Sequence, residues 1–272
     1  MKILVTGGGG FLGSHLALKL NLHGADVTVL GRKIYPELGD SIKCIKADIK
    51  DRSAVLSALK DQEVVFHTAA IPGIWGDYDE FYSTDVQGTE NVIFACRENN
   101  VKKLIYTSTP SVVFGKDDLR NADESTPYPS QYMGRYAHSK SIAEKKVLKA
   151  NGPKLLTVAL RPHLIFGEND PNLIPRLVKA AKKGKLKQIG NGKNLVDVIY
   201  VENAAHAHII ALEKLKEGSP ICGKAYFLGQ ESPVNLWSFI GKILNIHGLG
   251  PLKKSVSFKR AFFIGAIIEK VL

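Results

Sequence analysis

Lys2-Ile-Leu-Val-Thr-Gly-Gly-Gly-Gly-Phe-Leu-Gly-Ser14 is the stretch that decides the fold. Ile3 to Val5 are an apolar run of strand length. The chain then crosses Gly7, Gly10 and Gly13 at Gly-x-x-Gly-x-x-Gly spacing, and from Phe11 to about Leu22 the apolar residues recur at helical spacing. Strand, glycine turn and helix in that order open a dinucleotide-binding βαβ unit. Gly7 permits the tight turn, Gly10 lets backbone approach a pyrophosphate, and Gly13 lets helix and strand pack closely. Phosphate charge would rest on the free N–H groups at the helix start. A glycine-rich turn alone is often only a turn; the strand before it and the helix after it carry the functional reading.

Outward from that stretch, strand and helix patterns alternate. Strands are expected at Val27–Leu30, Ile42–Ala47, Val64–Ala70, Lys103–Ser108 and Leu155–Leu160, with helices through Leu59, over Val86–Asn99 and over Tyr136–Ala150. Such alternation predicts an α/β chain with a doubly wound parallel sheet of the Rossmann type. From Pro162 onward the pattern loosens, as expected of a smaller substrate-binding lobe. The expected division is a dinucleotide domain over residues 1–167, with 195–229 returning to it, and a lobe over 168–194 and 230–272. The loop from Pro72 to Tyr82 holds Trp75, Tyr78, Phe81 and Tyr82, and reads either as a lid on an apolar ligand or as a satellite cluster.

At the end of the second strand an acidic residue would read the adenosine ribose of NAD. Here the chain runs Leu30-Gly31-Arg32-Lys33, and an arginine suits a 2′-phosphate. NADP is therefore expected over NAD, with Arg32 as its reader.

The chain has 272 residues, 44% hydrophobic and 23% charged, the composition of a globular enzyme. Its net charge of +11 reads as a lysine-rich solvated surface, or as attraction to an anionic ligand or surface. Lys179, Lys182, Lys183, Lys185 and Lys187 cluster without interleaved aromatics, so nucleic acid is not an expected partner. Cys44, Cys96 and Cys222 lie too far apart for a zinc or disulfide framework. No metal is expected, and a reducing, cytoplasmic compartment fits. No signal-peptide pattern precedes the first strand, and no apolar run approaches the ~20 residues of a membrane span.

Tyr136-Ala-His-Ser-Lys140 sets a phenol and an ammonium at i and i+4, on one face of a helix. A nearby ammonium favours phenolate, so Lys140 is expected to lower the Tyr136 pKa and make the pair an acid/base device. The spacing alone is cheap in a lysine-rich chain. Its position after the hydroxyl-bearing end of the fifth strand, Thr107-Ser-Thr109, raises it to a candidate Ser/Thr–Tyr–Lys site.

With these residues the chain resembles the extended short-chain dehydrogenase/reductases, in their 3β-hydroxysteroid dehydrogenase-like branch. The resemblance rests on Thr6-Gly-Gly-Gly-Gly-Phe-Leu-Gly13, Tyr106-Thr-Ser-Thr-Pro-Ser-Val-Val-Phe114, Tyr136-x-x-x-Lys140, Leu160-Arg-Pro-His-Leu-Ile-Phe-Gly167 and Asn194-Leu-Val-Asp-Val-Ile-Tyr-Val-Glu-Asn203. Tyr35-Pro-Glu-Leu38, His67-Thr-Ala-Ala70 and Gly73-Ile-Trp-Gly76 look like the bacterial 2-alkyl-3-oxoalkanoate reductases of olefin biosynthesis within that branch.

The resemblance implies an oxidoreductase with Tyr136 as acid/base, Lys140 on the nicotinamide ribose, and Thr109 (with Ser108 as fallback) polarising the substrate oxygen. Gly7, Gly10, Phe11 and Leu12 would line the pyrophosphate and Asp48 and Ile49 the adenine. Ala69 and Ala70 would flank the ribose and nicotinamide, with Pro162, His163 and Leu164 closing over the latter. Trp75, Ser111 and Tyr132 are candidate substrate contacts. Two departures stand out. Asp85-Val-Gln-Gly-Thr-Glu-Asn91 begins with Asp where relatives have Asn, and relatives continue beyond Leu272, so an incomplete small lobe is expected. The apolar end from Ala261 is expected to meet a partner segment, a hydrophobic substrate or a membrane surface, and the family implies a homodimer.

The expected reaction is NADPH reduction of a 3-keto group on a hydrophobic small molecule, a 2-alkyl-3-oxoalkanoate. The alternatives are a 3β-hydroxysteroid or sterol dehydrogenase, a nucleotide-sugar epimerase or dehydratase, and a non-catalytic NADP-binding regulator.

Overall fold

The computed structural model describes residues 1–73, 76–252 and 254–271. Seven strands, β1 (Lys2–Thr6), β2 (Asp26–Gly31), β3 (Lys43–Lys46), β4 (Val64–His67), β5 (Lys103–Thr107), β6 (Leu156–Pro162) and β7 (Lys224–Leu228), form one parallel sheet. Their order is β7-β6-β5-β4-β1-β2-β3, a doubly wound Rossmann-type α/β fold. The winding reverses between β1 and β4, where Thr6 stands opposite His67. That switch point opens a crevice at the carboxyl ends of the strands, where ligands of such sheets bind.

Helices α1 (Phe11–Leu22), α2 (Arg52–Ala58), α3 (Tyr78–Phe81), α4 (Gly88–Glu98), α5 (Arg135–Lys149) and α6 (Val201–Lys214) cover both faces. Alternation along β1 shows how one strand serves two cores. Ile3 and Val5 join a cluster with Leu16 of α1 and Ile209 of α6, while Leu4 joins Val55, Val92 and Val147 of α2, α4 and α5. A strand buried on both faces is apolar throughout, which is why Ile3 to Val5 could be read as one.

The aromatic loop departs from expectation. Its second half is helix: α3 begins at Tyr78 and continues through a π-helical stretch, Tyr82–Gln87, into α4. Asp77 caps the start, its carboxylate accepting from the amides of Asp79 (2.7 Å) and Glu80 (3.2 Å). Phe81 is buried there, its ring 5.9 Å from that of Tyr136. β4 ends at His67 rather than Ala70, because the Thr68 hydroxyl bonds the Thr6 carbonyl (2.7 Å) where the chain leaves the sheet.

The chain divides into two compact units: Met1–Ile165 with Ile199–Leu228, and Phe166–Val198 with Gly229–Leu272. In the second, helix Leu173–Lys182 packs on helix Leu236–Ile246, and Val234–Asn235 pairs antiparallel with Leu195–Val196. Asp170 caps the first of these helices, accepting from the Asn172, Leu173 and Ile174 amides. Helix Phe258–Val271 presents Phe258, Phe262, Phe263 and Ile264 largely exposed. Among the described residues no helix is long and apolar enough to cross a membrane, and no group of three metal-ligating side chains occurs.

Candidate active site

The glycine turn is shaped by contacts that exclude side chains. Gly7 takes φ +67°, and a Cβ there would come within 2.7 Å of the Ala69 backbone. A Cβ on Gly13 would come within 2.3 Å of the Gly7 carbonyl oxygen. Gly10 starts α1 with no side-chain cap, so the helix start is open to an anion. Such a cradle fits the pyrophosphate of a dinucleotide. Phe11 is partly buried, its ring edge-on to His15, and Leu12 is buried.

The other expected cofactor contacts are spread along the same sheet edge. Arg32 is exposed just past β2. Asp48 turns its carboxylate to the Lys50 amide (2.9 Å), whereas the Ile49 side chain is buried against Gly88 of α4. Ala69 and Ala70 follow β4 half-buried. Pro162 ends β6; the His163 amide donates to Leu228 (3.0 Å), and the Leu164 amide donates to His163 Nδ1 (3.0 Å).

Tyr136 and Lys140 lie on the first turns of α5, facing the end of β5. Lys140 is almost wholly buried, its ammonium donating to the Thr107 carbonyl (2.8 Å) and standing 4.3 Å above the Tyr106 ring. Thr109 starts a 3₁₀ turn over Pro110–Val113, and its hydroxyl meets the Ser111 amide (3.3 Å) and hydroxyl (3.0 Å). The Ser108 hydroxyl is buried with no protein partner among the described residues. The Tyr132 ring lies 5.1 Å from that of His138 of α5, which also meets the Tyr78 hydroxyl (3.1 Å). Trp75 lies outside the described residues.

The electrostatics correct one expectation. Tyr136 is pushed well above the ordinary phenol range, first by burial and then by the negative charge of Asp85, with a hydrogen bond from Thr109 pulling the other way. The net shift is upward, so the Lys140 ammonium does not bring the phenol toward neutral pH here. The phenol is therefore held protonated. Lys140 itself is lowered to about 8 by burial, opposed by Asp85 and Glu144.

Asp85, noted in the sequence only as a departure from relatives, sits at the centre of a buried network. It is 1% exposed, and its carboxylate accepts from the Ser139 hydroxyl (2.8 Å) and the Ile71 amide (3.3 Å). Burial raises its pKa, while Lys140, Ser139 and the Ile71 amide lower it. Behind it runs a chain of buried hydrogen bonds. The Thr89 hydroxyl donates to the Asp85 carbonyl, which leaves Thr89 to accept from His67 Nε2 (2.9 Å). His67 is neutral, held down to about 3 by burial and then by Lys140. With its proton on Nε2, its Nδ1 accepts from the Thr6 hydroxyl (2.7 Å). The sequence signal for this chain was a polar run, His67-Thr68, closing an otherwise apolar strand.

Comparisons with known proteins place this geometry. Residues 4–260 match the 3-beta hydroxysteroid dehydrogenase/isomerase family. The chain is 44% identical to a 2-alkyl-3-oxoalkanoate reductase of Stenotrophomonas maltophilia, over 100% of this chain and 83% of the relative. It is 38% identical to a sterol-4-alpha-carboxylate 3-dehydrogenase, decarboxylating, of Mus musculus, over 98% of this chain and 75% of that one. Among solved structures, UDP-glucuronic acid 4-epimerase from Bacillus cereus in complex with NAD superposes with a TM-score of 0.80 at 26% identity, covering 94% of this chain and 87% of that one. With the family matched from the first strand through almost the whole length, the chain belongs to the 3-beta hydroxysteroid dehydrogenase/isomerase family, extended short-chain oxidoreductases acting on CH–OH groups.

Proposed function

We propose that this chain uses NADPH to reduce the 3-keto group of a 2-alkyl-3-oxoalkanoate to a hydroxyl. The observation that carries the reading is geometric: the partly buried Tyr136 phenol, met by the Thr109 hydroxyl, stands one helical turn from a buried ammonium at Lys140. A nicotinamide dinucleotide, when bound on the glycine cradle, supplies the hydride. Thr109 and Tyr136 hydrogen-bond the substrate oxygen and orient it. Tyr136 gives that oxygen its proton as negative charge develops there. Lys140 stabilises the phenolate left behind, and Gly7, Gly10, Phe11 and Leu12 hold the pyrophosphate. Arg32 supports NADP over NAD as the partner of a 2′-phosphate.

The two relatives, by their names, share one constellation: a carboxylate on the carbon next to the oxygen-bearing carbon. That constellation, and the net charge of +11, support an anionic 3-oxygenated acid as the substrate class. Sterol oxidation is the second reading, favoured by the sterol dehydrogenase relative. It uses the same residues in reverse, with Tyr136 taking up the proton that it gives in reduction; the higher identity to the reductase, 44% against 38%, supports reduction. The family resemblance supports a homodimer paired through α4 and α5, and the cysteine usage supports a reducing, cytoplasmic setting. The exposed phenylalanines of helix Phe258–Val271 support a peripheral membrane contact.

Tyr136→Phe tests the proposal. Turnover of a 2-alkyl-3-keto acid falls by about 10²–10⁴-fold, while the NADPH dissociation constant, read by fluorescence titration, stays within about twofold of the parent chain. Retained turnover removes Tyr136 from the mechanism.

A further inference from the structure

In a Rossmann unit, the residue that reads the adenosine ribose stands at the end of the second strand, where an acidic side chain reaches the 2′-hydroxyl. In this chain β2 ends at Gly31, which has no side chain to reach with. The space is nevertheless filled. A Cβ on Gly31 would come within 2.5 Å of the Tyr35 hydroxyl oxygen and 2.7 Å of its Cε2. The other edge of the same ring covers the glycine turn: a Cβ on Gly9 would come within 2.0 Å of Tyr35 Cε1 and 2.2 Å of Cδ1. Neither Gly9 nor Gly31 takes a positive φ, so neither backbone position demands glycine by conformation. What excludes a side chain at both places is the tyrosine ring.

Tyr35 is also held in place. Pro36–Leu38 form a 3₁₀ turn directly after it, the Leu38 amide donates to the Tyr35 carbonyl (3.1 Å), and the ring packs on the core cluster that includes Val29 and Leu38. Its hydroxyl end points to the end of β2, three residues from exposed Arg32, and no protein group among the described residues hydrogen-bonds it. The ring therefore bridges the glycine turn and the end of β2, the two pieces of backbone between which a dinucleotide lays its adenosine ribose.

We infer that Tyr35 is a specificity-determining residue for the cofactor: it occupies the place of the absent acidic reader and donates its hydroxyl hydrogen to the 2′-phosphate that Arg32 pairs with. The inference rests on the NADP reading above and deepens it. Arg32 supplies charge from an exposed position. Tyr35 supplies a fixed donor, and its bulk stands where the carboxylate of an NAD-selecting residue would stand.

Calorimetric titration of the whole chain with NADPH, NADH, 2′-phospho-AMP and AMP tests it without relying on turnover. Tyr35→Phe keeps the ring and removes the donor. A hydrogen bond to a charged group is worth about tenfold in affinity, so NADPH and 2′-phospho-AMP should bind the variant about tenfold more weakly, with NADH and AMP within about twofold of the parent. Gly31→Ala, whose Cβ displaces the hydroxyl end of the ring, should show the same selective loss. Unchanged NADPH binding in Tyr35→Phe overturns the inference and leaves the NADP reading standing. Equal loss for all four ligands also overturns it, because it marks a packing role only. A parent chain that binds NADH and AMP as tightly as the phosphorylated forms overturns the NADP reading itself, and the inference with it.

Discussion

Lys140 carries a charge where only its neighbours make that possible. Burial lowers it to about 8, and the carboxylates of Asp85 and Glu144 pull the other way. The Tyr106 ring lies beneath the ammonium, neutral His67 lies behind it, and Tyr136 is one turn away on the same helix. A π-helical turn delivers Asp85 to this position; such turns recur at functional sites because they re-aim one side chain inward. The sign of the pH effect follows. Lys140 is protonated below about 8, so kcat/KM, which reports groups of the free enzyme, should fall as pH rises through about 8. Asp85→Asn removes a charge that holds the proton on Lys140, so that fall should move to lower pH. A profile that stays in place, measured alongside the parent, would separate Asp85 from Lys140. The Tyr136-x-x-x-Lys140 spacing was legible in the sequence. The direction of the Tyr136 shift was not, since it depends on burial and on a carboxylate 51 positions away.

At the scale of the element, α5 is the part that organises the site. Ala143 and Val147, one turn apart, join the apolar cluster that holds Leu104 and Ala159 of the sheet. The anchorage of the helix was not readable. The buried carboxylate of Glu144 takes two hydrogen bonds from Arg161 of β6, from Nε (3.0 Å) and from Nη2 (2.7 Å), and a third from the Tyr128 hydroxyl (2.6 Å). This clamp ties α5 to β6, the strand beside β5, and fastens Tyr128 of the polar excursion of residues 116–133 to both. Glu144→Ala would leave the Arg161 guanidinium buried and uncompensated, at a cost of about 3–5 kcal/mol. Urea denaturation should show that loss, and Arg161→Met together with Glu144→Leu should recover much of it, because a buried ion pair can be replaced by apolar packing. A single variant as stable as the parent would show the pair to be solvated.

For the whole molecule the question is what the site reduces. The family spans keto acids and sterols, while the fold extends to nucleotide-sugar epimerases. A screen of NADPH consumption across a 2-alkyl-3-keto acid, a 3-ketosteroid and a nucleotide sugar divides these classes. The proposed substrate class requires the keto acid to be turned over at least about tenfold faster than the others. Preference for the nucleotide sugar would remove the proposed substrate class while leaving the family unchanged.

What the residues by themselves determined is the part of the protein governed by local rules. The order of strand, glycine turn and helix announces the dinucleotide cradle, because Gly7 and Gly13 sit where backbone must touch backbone. The alternation of strand and helix patterns announces a parallel sheet, and the spacing of Tyr136 and Lys140 announces their common helical face. Only the tertiary structure decided the rest. It turned half of the aromatic loop into helix, set Asp85 against Lys140, aligned Thr6, His67 and Thr89 into one chain of donors, and laid Tyr35 across Gly9 and Gly31. Each of these joins residues distant in sequence or side chains with several rotamers open to them. Their energies come from burial and from shared protons, which exist only once the chain has closed around them.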